Sequence, residues 1–162
     1  MNPIFNGRYT AQTDRPFVVF LIGMRFNRIW AVHKWWPVFS AMVPMIITLE
    51  RNPEKGYLGG MTLIGLRGPL LIQYWRSFDD LERFARDPGD PHLSAWQRFN
   101  QAVGSGGSVG IWHETYQVDP GQFETMYGNM PRFGLARAVE HVPATGRRYS
   151  ARPHLVCQTV IA

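Results

Sequence analysis

Four short apolar runs, with helical periodicity between them, predict an α+β fold for this chain. Three observations carry that prediction. The 162 residues suit a single domain, since a chain of this length already buries roughly 70% of its unfolded surface. Hydrophobic residues make up 45% and charged residues 18%, which supports a packed core and argues against disorder. The apolar runs and helical stripes follow one another as strand, helix, strand, strand, helix, strand.

Taken in order, residues 1–16 are polar, contain Gly7, Asp14 and Pro16, and read as an N-terminal arm. The run Phe17 to Phe26 is apolar at odd and even positions alike, so both faces of that strand want cover. After Asn27, the expected N-cap, Ile29, Val32, Trp36, Phe39, Val43 and Ile46 recur at spacings of three and four, which predicts one helical stripe. Pro37 and Pro44 predict either a kink or two short helices, the second beginning near Pro37. The turn residues from Arg51 to Gly56 end this segment.

Tyr57 to Leu66 and Leu70 to Trp75 read as a hairpin joined by Arg67-Gly68-Pro69. Ser77 with Asp80 forms a capping-box pattern, and Phe78, Leu81 and Phe84 continue it as a helix. Asp87 to Pro91 stops that helix and starts another over His92 to Val103. The last strand, Val109 to Val118, puts Val109, Ile111, His113 and Thr115 on one side and Trp112, Glu114 and Tyr116 on the other. Residues 119–162, rich in Pro and Gly, read as an ordered extension or lid on the same domain. Residues 17–118 thus carry the split βαβ order (βαββαβ) of a ferredoxin-like antiparallel sheet. Helices cover one face of such a sheet. The other must meet a partner sheet, the extension or a ligand, and a homodimer is the simplest solution.

Composition excludes several functions. One cysteine, Cys157, permits no internal disulfide and no multi-cysteine metal centre, and suits a reducing cytoplasm. The N-terminus lacks the basic start and unbroken apolar segment of a secretory signal. The uncharged stretch Trp35 to Leu49 is too short to span a bilayer and holds two prolines, so no membrane partner is expected. The net charge of +5 comes from scattered residues, mostly Arg, and no nucleic-acid partner is expected. The 14% aromatic content points to an enclosed flat ligand or to a subunit interface.

With this order, the segment YWRSFDDLERFARDP and the motifs WHETY and MYGNMPRFGLARA, the chain resembles antibiotic-biosynthesis-monooxygenase-like proteins, in the branch of the fumagillin-biosynthesis monooxygenase-like proteins. The resemblance runs from about Arg15 to the Arg147-Arg148-Tyr149 region, and MPRFGLARA is its most specific part. It implies a dimeric α+β barrel in which two ferredoxin-like sheets pack face to face, with a pocket in each subunit between sheet and helices. Related branches include cofactor-independent oxygenases, haem-degrading enzymes and aldoxime dehydratases, so the scaffold alone does not dictate the chemistry.

Among five histidines, His92 opens a helix and shares its face with Trp96 and Phe99. By resemblance to haem-degrading relatives it matches an axial haem ligand or a catalytic base; otherwise it caps or packs locally. His113 and Glu114 are neighbours in a strand, so only one can enter a given pocket, as a base or a substrate-orienting group. A buried Glu114 would need a partner such as Arg25, Arg76 or Tyr74, which adds Tyr74 to the catalytic candidates. Trp36, Phe39, Trp96 and Phe99 are candidate substrate walls, with Met42, Met45 and Met61 as adaptable apolar surface. Tyr127, Asn129 and Met130 lie in the family-like loop that could close over a substrate. No metal site is expected, because a turn and a helix cap explain Asp87 and Asp90.

The expected function is a monooxygenase-type oxidoreductase acting on a hydrophobic or aromatic small molecule with dioxygen and no required cofactor. In it His92 or His113 removes a proton and the carbanion passes an electron to oxygen. The alternatives are haem binding through His92 and a non-catalytic dimeric binding module.

Overall fold

The structure, a computed structural model, describes residues 3–87 and 106–145. Its elements are β1 (Phe5–Gln12), β2 (Phe17–Phe26), α1 (Val32–Arg51), β3 (Tyr57–Gly65), β4 (Gly68–Trp75), α2 (Phe78–Arg86), β5 (Val109–Val118), β6 (Tyr127–Met130) and β7 (Glu140–Pro143). Single 3-10 turns occupy Pro53–Lys55 and Gly134–Arg137. The helix expected over His92 to Val103 lies outside the described residues.

β2 to β5 form one antiparallel sheet in the spatial order β3-β4-β2-β5, the ferredoxin-like arrangement. The two strands that are apolar on both sides, β2 and β4, are the central pair. On the helix-covered face, Val18, Leu49, Trp75, Leu81 and Phe84 pack at one end of the sheet. Met24 and Val109, backed by Phe26, Trp35 and Val38, pack at the other. The helix α1 therefore touches the sheet near both of its ends.

The opposite face is covered in part by the described segments that precede β2 and follow β5. β1 lies between β6 and β7 in a second, three-stranded antiparallel sheet. Together with the Gly134–Arg137 turn, these strands bury Phe17, Tyr74, Tyr127, Leu135 and Ala136 in a second core. The polar arm thus contains a strand that its composition conceals, because backbone pairing rather than apolar alternation holds it. Thr10 Oγ1 donates to the Thr125 carbonyl at 2.9 Å, and Thr125 Oγ1 accepts from the Ala11 amide at 2.8 Å. Asn129, in left-handed backbone at φ 53°, accepts from the Gly7 amide at 2.8 Å.

α1 differs from its sequence expectation in start and buried face, and of the two alternatives that its prolines left open it forms one helix. Its N-cap is Ala31, and the Asn27 side chain instead donates to the Gly107 carbonyl at 3.1 Å. One continuous helix contains both prolines. Val32, Trp36 and Val43, part of the expected inner stripe, are 48, 55 and 51% exposed. Val38, Ala41, Met42, Met45 and Leu49 face the sheet instead. The prolines explain both points. Each removes an amide and orphans the carbonyl four residues back, at His33 and Ser40. His33, Pro37, Ser40 and Pro44 are all exposed, so those carbonyls lie on the side that water can reach and the helix need not break.

The N-terminus of α2 is closed as its sequence predicts. Ser77 Oγ accepts from the Asp80 amide at 3.1 Å and donates to the Asp80 carboxylate at 2.9 Å. That carboxylate, buried against Gly56, pairs with Arg76 at 2.8 Å and Arg83 at 2.9 Å. Gly56 adopts φ 87° and a methyl there would stand 2.5 Å from Asp80, so the position requires glycine twice over.

Two stability predictions follow from these contacts. The hydrogen bond from Arg76, with further help from Ser77 and Arg83, holds the Asp80 carboxyl below its usual range. Its contribution is therefore present above the unfolded value of about 3.9 and is lost as pH falls through and below it. Asp80→Ala should destabilise the fold by about 1–2 kcal/mol at neutral pH, as for a lost helix cap, since the arginines can turn to water. Urea denaturation checks this, and the gap between variant and parent should narrow in acid.

The second concerns His141, which stacks on Tyr9 at 4.6 Å between Phe5 and Tyr127, with both ring nitrogens buried and without hydrogen-bond partners among the described residues. Burial, then the charge of Arg132, lowers its affinity for a proton. The unfolded chain takes up that proton near pH 6.5 and the folded chain only at lower pH, so stability declines as pH falls below about 6.5. Replacement by Phe should remove this component of the slope between about pH 7 and 5, read from denaturation midpoints.

Candidate functional site

Between the two packed ends of the helical face lies a cavity of about 510 Å³. Its floor is the sheet, with Phe20, Ile22 and Met24 of β2, Leu71 and Gln73 of β4, and Ile111, His113 and Thr115 of β5. Its walls come from α1, chiefly Val38, Met42, Met45 and Leu49, and from α2, chiefly Phe78, Leu81 and Phe84. Nearly every wall group is apolar, so a bound molecule gains mainly from leaving water, and polar contacts must come from the few groups that point inward.

Glu82 and Arg86 of α2 also line the cavity, paired with each other at 2.8 Å, and the polar groups of the floor fall in two cross-strand rows. Thr115, Phe20 and Gln73 stand opposite one another, and in the adjacent row so do His113, Ile22 and Leu71. Neighbouring strands lie about 4.8 Å apart, so about 10 Å of apolar floor separates the β5 groups from the β4 groups. A flat ring system laid on Phe20 and Ile22 would have His113 and Thr115 at one edge and Gln73 at the other. The His113 ring lies 5.7 Å from that of Phe20, and its residue is exposed, open to solvent as well as to the cavity.

Strand parity decides between His113 and Glu114: the histidine faces the cavity and the carboxylate faces away. Glu114 accepts from the Tyr116 hydroxyl at 2.5 Å on the uncovered face. Tyr74 also points away from the cavity, into the second core, where burial and then the nearby Tyr127 raise its hydroxyl above the ordinary range. Tyr127 receives the Ala136 amide at 3.3 Å in that same core. Asn129 holds Gly7, and Met130 pairs with Phe5, so both are tied to the small sheet and not to the cavity. Trp36 is 55% exposed on the outer side of α1 and stacks on Phe39, which packs toward Met24 and Val109. His92, Trp96 and Phe99 lie outside the described residues.

Sequence reasoning missed Gln73, Thr115 and the residues of α2 that close the cavity. Gln73 carried a usable signal, since an amide in the middle of LLIQYW interrupts a strand otherwise apolar on both faces. Among the described residues, no group of three or more His, Cys, Asp or Glu comes together to hold a metal ion. No described helix is long and apolar enough to cross a membrane.

Comparison with known proteins adds the following. The model of the family described as monooxygenase af470-like matches residues 17–135. Monooxygenase af470 of Aspergillus fumigatus is 32% identical over 130 residues, taking in 74% of this chain and 45% of that protein. The chain thus spans less than half the length of this curated relative. Among solved structures, a dimeric protein of unknown function and ferredoxin-like fold from Bacteroides fragilis is 12% identical, over 63% of this chain and 96% of that one, with a TM-score of 0.47. SnoaB, a cofactor-independent oxygenase from Streptomyces nogalater, is 15% identical, over 63% and 92% of the two chains, with a TM-score of 0.45.

Proposed function

The chain belongs to the monooxygenase af470-like family, and from that premise we propose that it is a monooxygenase-type oxidoreductase acting on a hydrophobic or aromatic small molecule. The observation that carries the reading is the apolar cavity of about 510 Å³ with His113 at the edge of its floor. A base beside an apolar floor suits a substrate whose C–H is acidic because flanking rings or carbonyls delocalise the resulting charge.

In this reading His113 takes a proton from a substrate methylene, and the carbanion passes one electron to dioxygen. Recombination forms a C–O bond and a peroxide, which protonation and loss of water convert to a ketone. The overall change is one CH2 and one O2 to one C=O and one H2O. No external reductant is required, because the substrate supplies all the electrons. The apolar walls from α1 and α2 limit the water around the carbanion while oxygen reaches it. A neutral imidazole is needed for the first step, and partial exposure lets the proton leave through solvent.

The reading extends to a homodimer. On the face that the small sheet leaves uncovered, Leu63, Trp112 and Tyr116 are 43, 40 and 49% exposed, an apolar area that a second copy would remove from water. A native mass of twice 18.6 kDa is the expected result, and a stable monomer at micromolar concentration would count against the pairing. A cytoplasmic location accords with the single cysteine of the sequence.

The test of function is oxygen consumption with a panel of apolar aromatic ketones bearing an acidic methylene. Turnover should stop without oxygen, and His113→Gln should slow it by about 10²-fold or more while leaving ligand uptake intact. Turnover that continues anaerobically would overturn the oxygenase reading, whereas tight uptake with no oxygen consumption across the panel would favour a binding module.

A further inference from the structure

Beyond Gln73 the floor of the main cavity continues into a smaller recess of about 210 Å³ over β3. The two spaces share Ile46, Leu71 and Gln73 as walls, but their chemistry differs. Where the main cavity is walled mostly by aliphatic, methionine and phenylalanine side chains, with Glu82, Arg86, His113 and Thr115 among them, the recess brings Tyr57, Gln73, Glu50 and Arg137 together. No proposed step of the reaction uses any of these four.

The recess exists because of the residue that ends one row of the floor. Thr115, Phe20, Gln73 and Gly60 stand opposite one another on β5, β2, β4 and β3. Gly60 contributes no side chain, and a methyl there would lie 2.7 Å from the Tyr57 hydroxyl and 2.5 Å from the Ile72 carbonyl. The phenol therefore occupies the room a side chain would have taken. Arg137 reaches round the edge of β3 and donates to the Gly60 carbonyl at 3.0 Å, which seals an edge that would otherwise be open.

Two donors in this recess lack acceptors among the described residues. Gln73 is 9% exposed, and its Oε1 accepts from the Trp75 indole at 3.0 Å. An indole nitrogen only donates, so this bond decides which end of the amide is oxygen. The amide nitrogen then has no partner among the described residues. The Tyr57 hydroxyl makes no hydrogen bond to a described residue either. Burial first, then the charge of Glu50, pushes Tyr57 up to about 12 against the opposing pull of Arg137, so the phenol keeps its proton at any working pH. Donors that line a recess in this way are ordinarily matched, by water or by a ligand.

The geometry points to an amphipathic ligand whose ring system fills the main cavity and whose neutral oxygen-bearing head, a ketone or phenol, lies in the recess and accepts from Gln73 Nε2 and Tyr57 Oη. This rests on reading the main cavity as the binding site, and it narrows the substrate class from any apolar molecule to one oxygenated at one end. Glu50 on the wall offsets Arg137, so a carboxylate head gains no net opposite charge. A plain hydrocarbon would strip water from both donors and leave them unpaired, which a polar site rejects strongly.

Fluorescence titration of the full chain with naphthalene, 2-naphthol and 2-naphthoate tests the proposal. Naphthol should bind at least tenfold more tightly than naphthalene and more tightly than naphthoate. Tyr57→Phe and Gln73→Leu should each remove most of that preference, weakening naphthol and binding naphthalene at least as tightly as the parent does. Because Tyr57→Phe preserves the ring that packs on Trp75 at 5.6 Å, it keeps the test informative should Gln73→Leu fail to fold. Equal affinity for naphthol and naphthalene would overturn the head site while leaving the cavity as a binding site. Preference for naphthoate would overturn the neutral head, and no uptake of any probe would overturn both readings.

Discussion

β2 and β4 have no side that can be left in water, and the rest of the molecule is arranged around that constraint. Phe17, Val19, Tyr74 and Ile72 point one way and Val18, Phe20, Leu71 and Trp75 the other. Two helices supply cover for the second set. The first is covered by segments from the two ends of the described chain, β1 and the stretch from β6 to β7. Because α1 makes its packed contacts near both ends of the sheet, the middle of the helical face is spanned without being filled. The cavity is thus a consequence of how the central strands are covered, and its apolar character comes with it.

The elements that were legible in the sequence are those whose signals are local. β2 and β5 begin and end where their apolar runs do, and the Ser77–Asp80 cap forms within four consecutive residues. The buried face of α1 was not legible from periodicity, because apolar residues surround the helix and any stripe can be drawn. Pro37 and Pro44 held the missing information. An orphaned carbonyl is tolerable only where water reaches it, so two prolines seven residues apart mark the wet side and place Val38, Met42, Met45 and Leu49 opposite. β1 was hidden for a different reason: a strand paired to partners more than 100 residues away needs no apolar alternation of its own.

The site divides in the same way. Strand parity alone sets His113 apart from Glu114, and only the position of the helices says which of the two is enclosed. Tyr127 and Asn129 attract attention in sequence because they interrupt a glycine- and proline-rich segment. Their contacts account for them structurally, since Asn129 uses left-handed backbone to hold β1 and Tyr127 caps the Ala136 amide. A polar residue in a loop has many ways to be satisfied locally, so its presence says little about a ligand.

Inside a central strand the reasoning reverses. Gln73 breaks the apolar run of β4, and Gly60 weakens β3, where a side chain would add packing. Each is a poor choice for a strand considered alone, yet the two fall opposite each other in one register, and Tyr57 uses the space that Gly60 leaves. An apolar residue at position 73 would cover the floor without leaving an amide nitrogen unmatched. Local rules of strand construction are therefore broken at adjoining points, and at both the result is an inward-facing donor. Departures from a consistent fold that converge on one place are the pattern expected of a recognition site.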